Sequence, residues 1–189
     1  MNENQLTGII LSGGKSSRMG TEKGLADFRG KPLISYAIKA LEPIVDIIIG
    51  ANNRFAYRGF GFDIVEDELK NIGPMGGILS TLRYSKTANN IILSCDTPFV
   101  NTDLLNYLYQ NRKDYDVVVA AHGDNKLEPL CGFYSRNTIK NIEESIEEGN
   151  YKLQDFFNKV SFKALRVDSM PFYTKNLFFN INKPEDLIL

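Results

Sequence analysis

A chain of 189 residues, 43% hydrophobic and 24% charged, has the composition of a soluble globular protein and the length of one domain, residues 1–189; a domain of this size buries about 70% of its unfolded surface and needs no staples. Lys and Arg number 22 against 23 Asp and Glu, and this net charge of −1 is spread without a basic block, which excludes an extended nucleic-acid footprint. No apolar run approaches the roughly 20 residues of a membrane span, the opening MNENQLTG lacks a secretion-signal pattern, and Cys95 and Cys131 match no zinc or CxxC spacing, so reduced thiols in a cytoplasmic protein without membrane contact are expected.

Along the chain, strand-like apolar runs alternate with segments of helical period. LTGIIL (6–11) predicts a short buried strand, followed directly by the glycine-rich LSGGKSSRMGTEKG. Residues 32–41 predict a helix, because proline suits a first helical turn and Leu33, Tyr36, Ala37, Ala40 and Leu41 share one face. Residues 44–50 are β-branched and end at glycine, giving a second strand, and 62–67 a short third. A turn then feeds a helix over 75–85, and 89–96 is the next strand. Residues 101–111 predict a helix capped by Asn101 or Thr102. Strands follow at 116–121 and 128–134, the latter with Pro129 indicating an edge or an irregular start. Helices at 137–148 and 153–159, a strand at 162–168 and a short helix in PEDLIL complete the reading. This alternation is the pattern of an α/β, three-layer, doubly wound and mainly parallel sheet of Rossmann-like type. Its loops at the carboxyl ends of the strands share one rim, where ligands bind at a switch in strand order. The glycine loop, Glu66-Asp67 and SCDTP (94–98) all follow expected strands and so can face one cleft.

The glycine loop fits neither of two well-known phosphate loops. A P-loop needs a glycine where Ile9 stands, and Gly8 misses by one residue; G-x-G-x-x-G fails because residue 15 is lysine. What remains is a strand followed by Ser12-Gly13-Gly14 and a polar loop with Arg18 and Lys23. Glycines admit backbone N–H groups to phosphate oxygens, an arginine grips phosphate bidentately and a lysine supplies a point charge. A surface loop with solvated cations is the competing reading. Asp96, at the end of an apolar strand and before Thr-Pro, suits Mg²⁺, which takes one or two carboxylates plus substrate phosphates; a turn or cap aspartate is the alternative.

These residues together resemble a known family. LSGGKSSRMGTEKGLADFRGKPL is similar to the opening motif of the molybdenum cofactor guanylyltransferases, a family of nucleotidyltransferases. IVEDELKNIGPMGGI, IILSCDTPFV, EPLCGFYS and NINKPEDL resemble its later motifs, in family order and over nearly the whole chain. The first and third occur across many sugar- and cofactor-nucleotidyltransferases; the second, with Cys95-Asp96 and the ending NINKP, points to the guanylyltransferase branch. The resemblance implies transfer of GMP from Mg·GTP to the phosphate of molybdopterin, already carrying molybdenum, with pyrophosphate leaving. It implies Leu11, Ser12, Gly13 and Gly14 at the nucleotide, Lys23 and Arg18 on the triphosphate, and Asp67 at the nucleotide rim. Asp96 would hold Mg²⁺, the one cofactor expected, and a phosphate oxygen; Lys23, Arg18 and Asp96 are the catalytic set. Asn180 and Asn182 fall on the pterin side. The partners implied are GTP and molybdopterin, with transient contact to proteins that supply or receive the cofactor. A phosphate nucleophile is already anionic near neutral pH, so no strong general base is required.

The chain departs from the family pattern in places. Gly50 stands where some relatives have asparagine, leaving Asn52 or Asn53 to supply a polar contact, and Lys183 replaces a threonine that would cap the last helix. His122, in HGDNK, reads as a polar loop residue and Cys95 as a small apolar one; EESIEEG reads as a solvated helix face. FYTKNLFFN (172–180) reads as core, with a pterin-stacking wall or a dimer contact as the sharper alternatives. A cytidylyltransferase acting on the same pterin and a non-catalytic nucleotide or pterin carrier are the two rival functions.

Overall fold

The structure, a computed structural model, describes residues 5–13 and 22–188. In chain order the strands are β1 (Leu6–Leu11), β2 (Asp27–Phe28), β3 (Lys31–Pro32), β4 (Asp46–Gly50), β5 (Asp63–Val65), β6 (Asn89–Ser94), β7 (Val117–His122), β8 (Lys126–Ser135) and β9 (Phe162–Arg166). The helices are α1 (Ile34–Leu41), α2 (Arg54–Tyr57), α3 (Pro74–Tyr84), α4 (Thr102–Gln110), α5 (Ile139–Glu147) and α6 (Leu153–Phe156). Seven strands form one sheet in the order β5-β4-β1-β6-β8-β7-β9, in which only β8 runs antiparallel to its neighbours.

The apolar strand runs are uninterrupted because both faces of the sheet are covered. Successive side chains point to opposite faces. Ile10, Ile49, Leu93 and Val118 pack with α1 and α4 on one face. Ile9, Leu11, Ile92 and Val119 pack with α3, α5 and α6 on the other. Helix, sheet and helix are the three layers expected. After β1 the chain winds outward through β4 to β5 and then returns to β6 on the other side of β1, so strand order reverses between β1 and β6. That is the place in an open α/β sheet where a ligand crevice forms.

The local differences from the sequence reading have identifiable causes. Pro32 does not open a helix: it ends a two-residue hairpin strand opposite Asp27, and α1 begins at Ile34. Arg29 and Gly30 both have positive φ, 54° and 79°, which is the backbone of a tight hairpin turn. Phe28 and Leu33, fully buried beside this hairpin, anchor it. Helix α2, which the periodicity does not reveal, starts where the Asn53 side chain accepts from the Ala56 N–H at 3.2 Å. β8 is interior rather than an edge strand. Its proline sits at an irregularity, since Val119 pairs with Gly132 but Ala120 with Glu128, so residues 129–131 are extra relative to β7. The aromatic stretch near the C-terminus is core, as expected: Leu177 and Phe178 join the α1–α4 face, while Phe179 and Ile181 pack around Phe28 and Leu33.

Candidate active site

The carboxyl ends of the central strands are tied together before any side chain is considered. The Ser12 N–H donates to the Gly50 carbonyl at 2.8 Å, and the Cys95 N–H donates to the Leu11 carbonyl at 3.1 Å. Above this joint lies a cavity of 710 Å³ whose lining includes Leu11, Gly13, Gly50, Asp67 and Ser94. Close packing keeps small residues around it. A Cβ on Gly50 would come within 2.9 Å of Leu11 Cδ2, and one on Gly77 would come within 3.3 Å of Asp67 Oδ1. Gly73, with φ 67° and ψ −155°, lies in backbone space reserved for glycine and turns the chain into α3 at Pro74.

Of the residues expected at the nucleotide, Leu11 and Gly13 line the cavity. Ser12 is buried, and its hydroxyl is turned inward, donating to Tyr57 OH at 2.8 Å. Gly24 packs against this pair so closely that any side chain there would strike Ser12 Oγ. Burial raises the Tyr57 phenol well above its ordinary value, against the opposing bond from Ser12. Tyr57 in turn donates to Glu22 Oε2 at 3.4 Å. Gly14 and Arg18, together with Lys15, lie outside the described residues.

Lys23 and Asp96 meet, as their positions after strands suggested. Lys23 Nζ donates to Asp96 Oδ2 at 2.5 Å and to Asn182 Oδ1 at 2.8 Å. Both partners of the ion pair are mostly buried, 24% and 15% exposed, so solvent screens the pair less than a surface bridge. Asp96 is fixed from its backbone too, its carbonyl accepting from the Ile181 N–H at 2.9 Å. The segment carrying Asn182 is held in turn by Asp186, whose carboxylate accepts from the N–H groups of Asn182 at 2.8 Å and Lys183 at 2.9 Å. Those two bonds, the Asn182 one foremost, hold the Asp186 carboxyl below its usual range. They tie the turn back onto the backbone N–H of Lys183, the reverse half of the capping arrangement whose threonine this chain lacks. Asn180 is half-buried in the same segment.

Asp67 is half-buried and faces the cavity, whereas its neighbour Glu66 is exposed. Of the two asparagines considered beside Gly50, Asn52 reaches the cavity and bonds to Asp67, while Asn53 caps α2. Lys70 also lines the cavity, and no sequence signal pointed to it. Cys95 is buried as an apolar residue, its thiol pushed up to about 12 by burial and then by neighbouring Asp96. His122 is not a free loop side chain. It ends β7, lies 2.9 Å from Glu128 Oε1 through Nε2 and stacks on Phe178.

Among the described residues no three His, Cys, Asp or Glu side chains gather as a ready-made metal cage. Asp96 stands at the rim as one carboxylate with hard oxygen donors. That donor set fits Mg²⁺, which completes its shell with water and substrate phosphates. Among the described residues no helix is long and apolar enough to cross a membrane.

The chain is similar to known proteins over nearly its whole length. Residues 8–164 match the family model of the MobA-like NTP transferase domain. A probable molybdenum cofactor guanylyltransferase of Flavobacterium johnsoniae is 36% identical over 185 residues, covering 96% of this chain and 94% of that protein. A molybdenum cofactor guanylyltransferase of Vibrio campbellii is 35% identical over 188 residues, covering 97% and 93%. The crystal structure of molybdopterin-guanine dinucleotide biosynthesis protein A from Archaeoglobus fulgidus superposes with a TM-score of 0.81 at 24% identity, covering 96% of this chain and 95% of that one, a likeness of fold.

Proposed function

The chain belongs to the MobA-like NTP transferase family of nucleotidyltransferases, and from that premise we propose that it transfers GMP from Mg·GTP to the phosphate of molybdopterin, with or without bound molybdenum, forming the guanine dinucleotide cofactor. The observation that carries this reading is the Lys23–Asp96 pair, 2.5 Å apart at the reversal of strand order beside a 710 Å³ cavity. The whole chain, 1–189, acts as one nucleotidyltransferase domain in the cytoplasm.

Gly13 backbone and the Leu11 side of the cavity seat the nucleotide, with Asp67 at the far end. Ser12 acts through its neighbours, its hydroxyl on Tyr57 and its N–H on Gly50 keeping the start of the loop in place. Lys23, with Arg18 and the Gly14 backbone, neutralises the triphosphate. Asn180 and Asn182 lie on the acceptor side, and Asn182 is already bonded to Lys23 at 2.8 Å. An oxygen of the acceptor phosphate attacks the α-phosphorus. The bond from that phosphorus to the β-bridging oxygen breaks, and pyrophosphate leaves with the electron pair. The nucleophile is anionic at neutral pH, so positioning and charge neutralisation supply the catalysis, and no basic side chain has to take a proton. When bound by Asp96 and phosphate oxygens, Mg²⁺ supplies further neutralisation of the developing charge. Proteins that deliver the pterin or accept the product are transient partners.

The test is pyrophosphate release with each of the four nucleoside triphosphates, with and without molybdopterin. Release is expected with GTP and the pterin together. A preference for CTP would assign the chain to a cytidylyltransferase, and tight nucleotide binding without any release would make it a carrier.

A further inference from the structure

On the β5 side of the cavity Asp67 belongs to a polar cluster whose other members, Asn52 and Lys70, have no part in the steps above. Asn52 Nδ2 donates to Asp67 Oδ2 at 2.8 Å. Asn52 Oδ1 accepts from Lys70 Nζ at 2.5 Å and from the Asp67 N–H at 3.3 Å. One amide therefore has its donor end on an anion and its acceptor end on a cation. Turning it over would set like against like at both ends, so its orientation is fixed. Asp67 Oδ1 remains beside Gly77, where a Cβ would come within 3.3 Å of it. Asn52, Asp67 and Lys70 all line the cavity.

We propose that Asn52 is a positioning residue that sets Asp67 and Lys70 side by side as an acceptor–donor pair for the edge of a guanine base, and that Lys70 is the residue favouring a 6-oxo purine. This deepens the function proposed above and rests on it. Asp67 follows β5 and Asp96 follows β6, three strand spacings apart in the sheet, about 14 Å. With the phosphates at Asp96, the base falls among the loops after β4 and β5. Guanine presents O6 as an acceptor beside N1–H and N2–H₂ as donors. Asp67 Oδ1 takes the two donors, and Lys70, with one of its three N–H groups on Asn52, turns another to O6. Adenine would bring an amino group against the ammonium. Cytosine offers the carboxylate one donor group in place of two.

The experiment measures equilibrium binding of GTP, ITP, ATP and CTP with Mg²⁺ to the full chain, for the parent and for Asn52→Ala, Lys70→Met and Lys70→Arg, with thermal midpoints recorded for each. Lys70→Met is expected to cut the preference for GTP over ATP about tenfold, the scale of one lost base-edge pairing, and Lys70→Arg to restore most of it. Asn52→Ala is expected to reduce the GTP:ITP ratio as well, because Asp67 loses its orientation toward the 2-amino group. Unchanged ratios in these variants, with a parent that prefers GTP, would overturn this inference and leave the transferase reading standing. A parent that prefers CTP would overturn both.

Discussion

At the scale of single residues the site rests on one ion pair in an unusual setting. A surface Lys–Asp bridge contributes little, but Lys23 and Asp96 are mostly buried and share a third partner in Asn182. In the function proposed above, the ammonium so held is the one that meets the triphosphate, and the carboxylate stays beside it at the rim. Asp96→Asn and Lys23→Met nearly preserve shape and each removes one charge. Each is expected to lower kcat/KM for pyrophosphate release roughly 10²–10³-fold, the scale of losing one preorganised charge-stabilising group. The double variant is expected to lose less than the product of the two, because the groups act together. Steady-state assays with GTP and the pterin check this, and full activity in either single variant would contradict the assignment. Both residues were legible in the sequence, since a cation in a glycine loop and an aspartate closing an apolar strand have few other uses on one rim. Lys70 was not, because its place depends on the turn between β5 and α3, where Asn71 takes φ 64° and Gly73 φ 67°. Nothing in a run such as DELKNIG reports which way that turn folds.

At the scale of elements, hydrophobic period identified the strands and helices of the sheet layers, but direction and small turns escaped it. Period cannot tell an antiparallel strand from a parallel one, so the direction of β8 had no signal. A proline before an apolar run suits a helix start and a hairpin end alike, and only the Arg29-Gly30 turn decides for the hairpin at Pro32. The closing turn Pro184–Ile188 shows the same limit. Lys183 removes a threonine that would accept from N–H groups inside the turn, yet Asp186 reaches back to the N–H groups of Asn182 and Lys183 and ties the turn from its other side. Those bonds depress the Asp186 pKa on folding. The tie is therefore complete above the unfolded aspartate value, about 3.9, and is lost as pH falls through the lower folded value. Hydrogen-exchange protection of the Asn182 and Lys183 amides is expected to fall over that acid window, and to be low at neutral pH in Asp186→Asn. Protection in Asp186→Asn equal to the parent at neutral pH would show that the carboxylate does not hold this turn.

At the scale of the whole molecule, the site is assembled from segments distant in sequence, and the last of them returns from the far side of the sheet. The chain leaves β9 at Arg166, lays Leu177 and Phe178 on the α1–α4 face and crosses the rim beside Asp96. Ile181 is the joint of this crossing. Its side chain is fully buried with Phe28 and Leu33, and its N–H donates to the Asp96 carbonyl. One residue thus links the hairpin after the glycine loop, the loop after β6 and the segment of Asn180 and Asn182. The sequence placed the NINKPEDL motif in family order but not against Lys23, because a sheet order that reverses at β1 is a three-dimensional fact that no window of residues contains. The linkage has a consequence for stability and activity together. Ile181→Ala leaves a cavity in a fully buried cluster and is expected to destabilise the fold by about 2–5 kcal/mol. Because the same residue braces Asp96 and carries Asn182 beside Lys23, activity at a temperature where the variant remains folded is expected to fall as well. Ile38→Ala, in the α1–α4 core and away from the rim, is expected to lower stability without that second loss. Denaturant unfolding and pyrophosphate release on both variants separate the two effects, and equal activity in the two folded variants would refute the bracing role of the C-terminal segment.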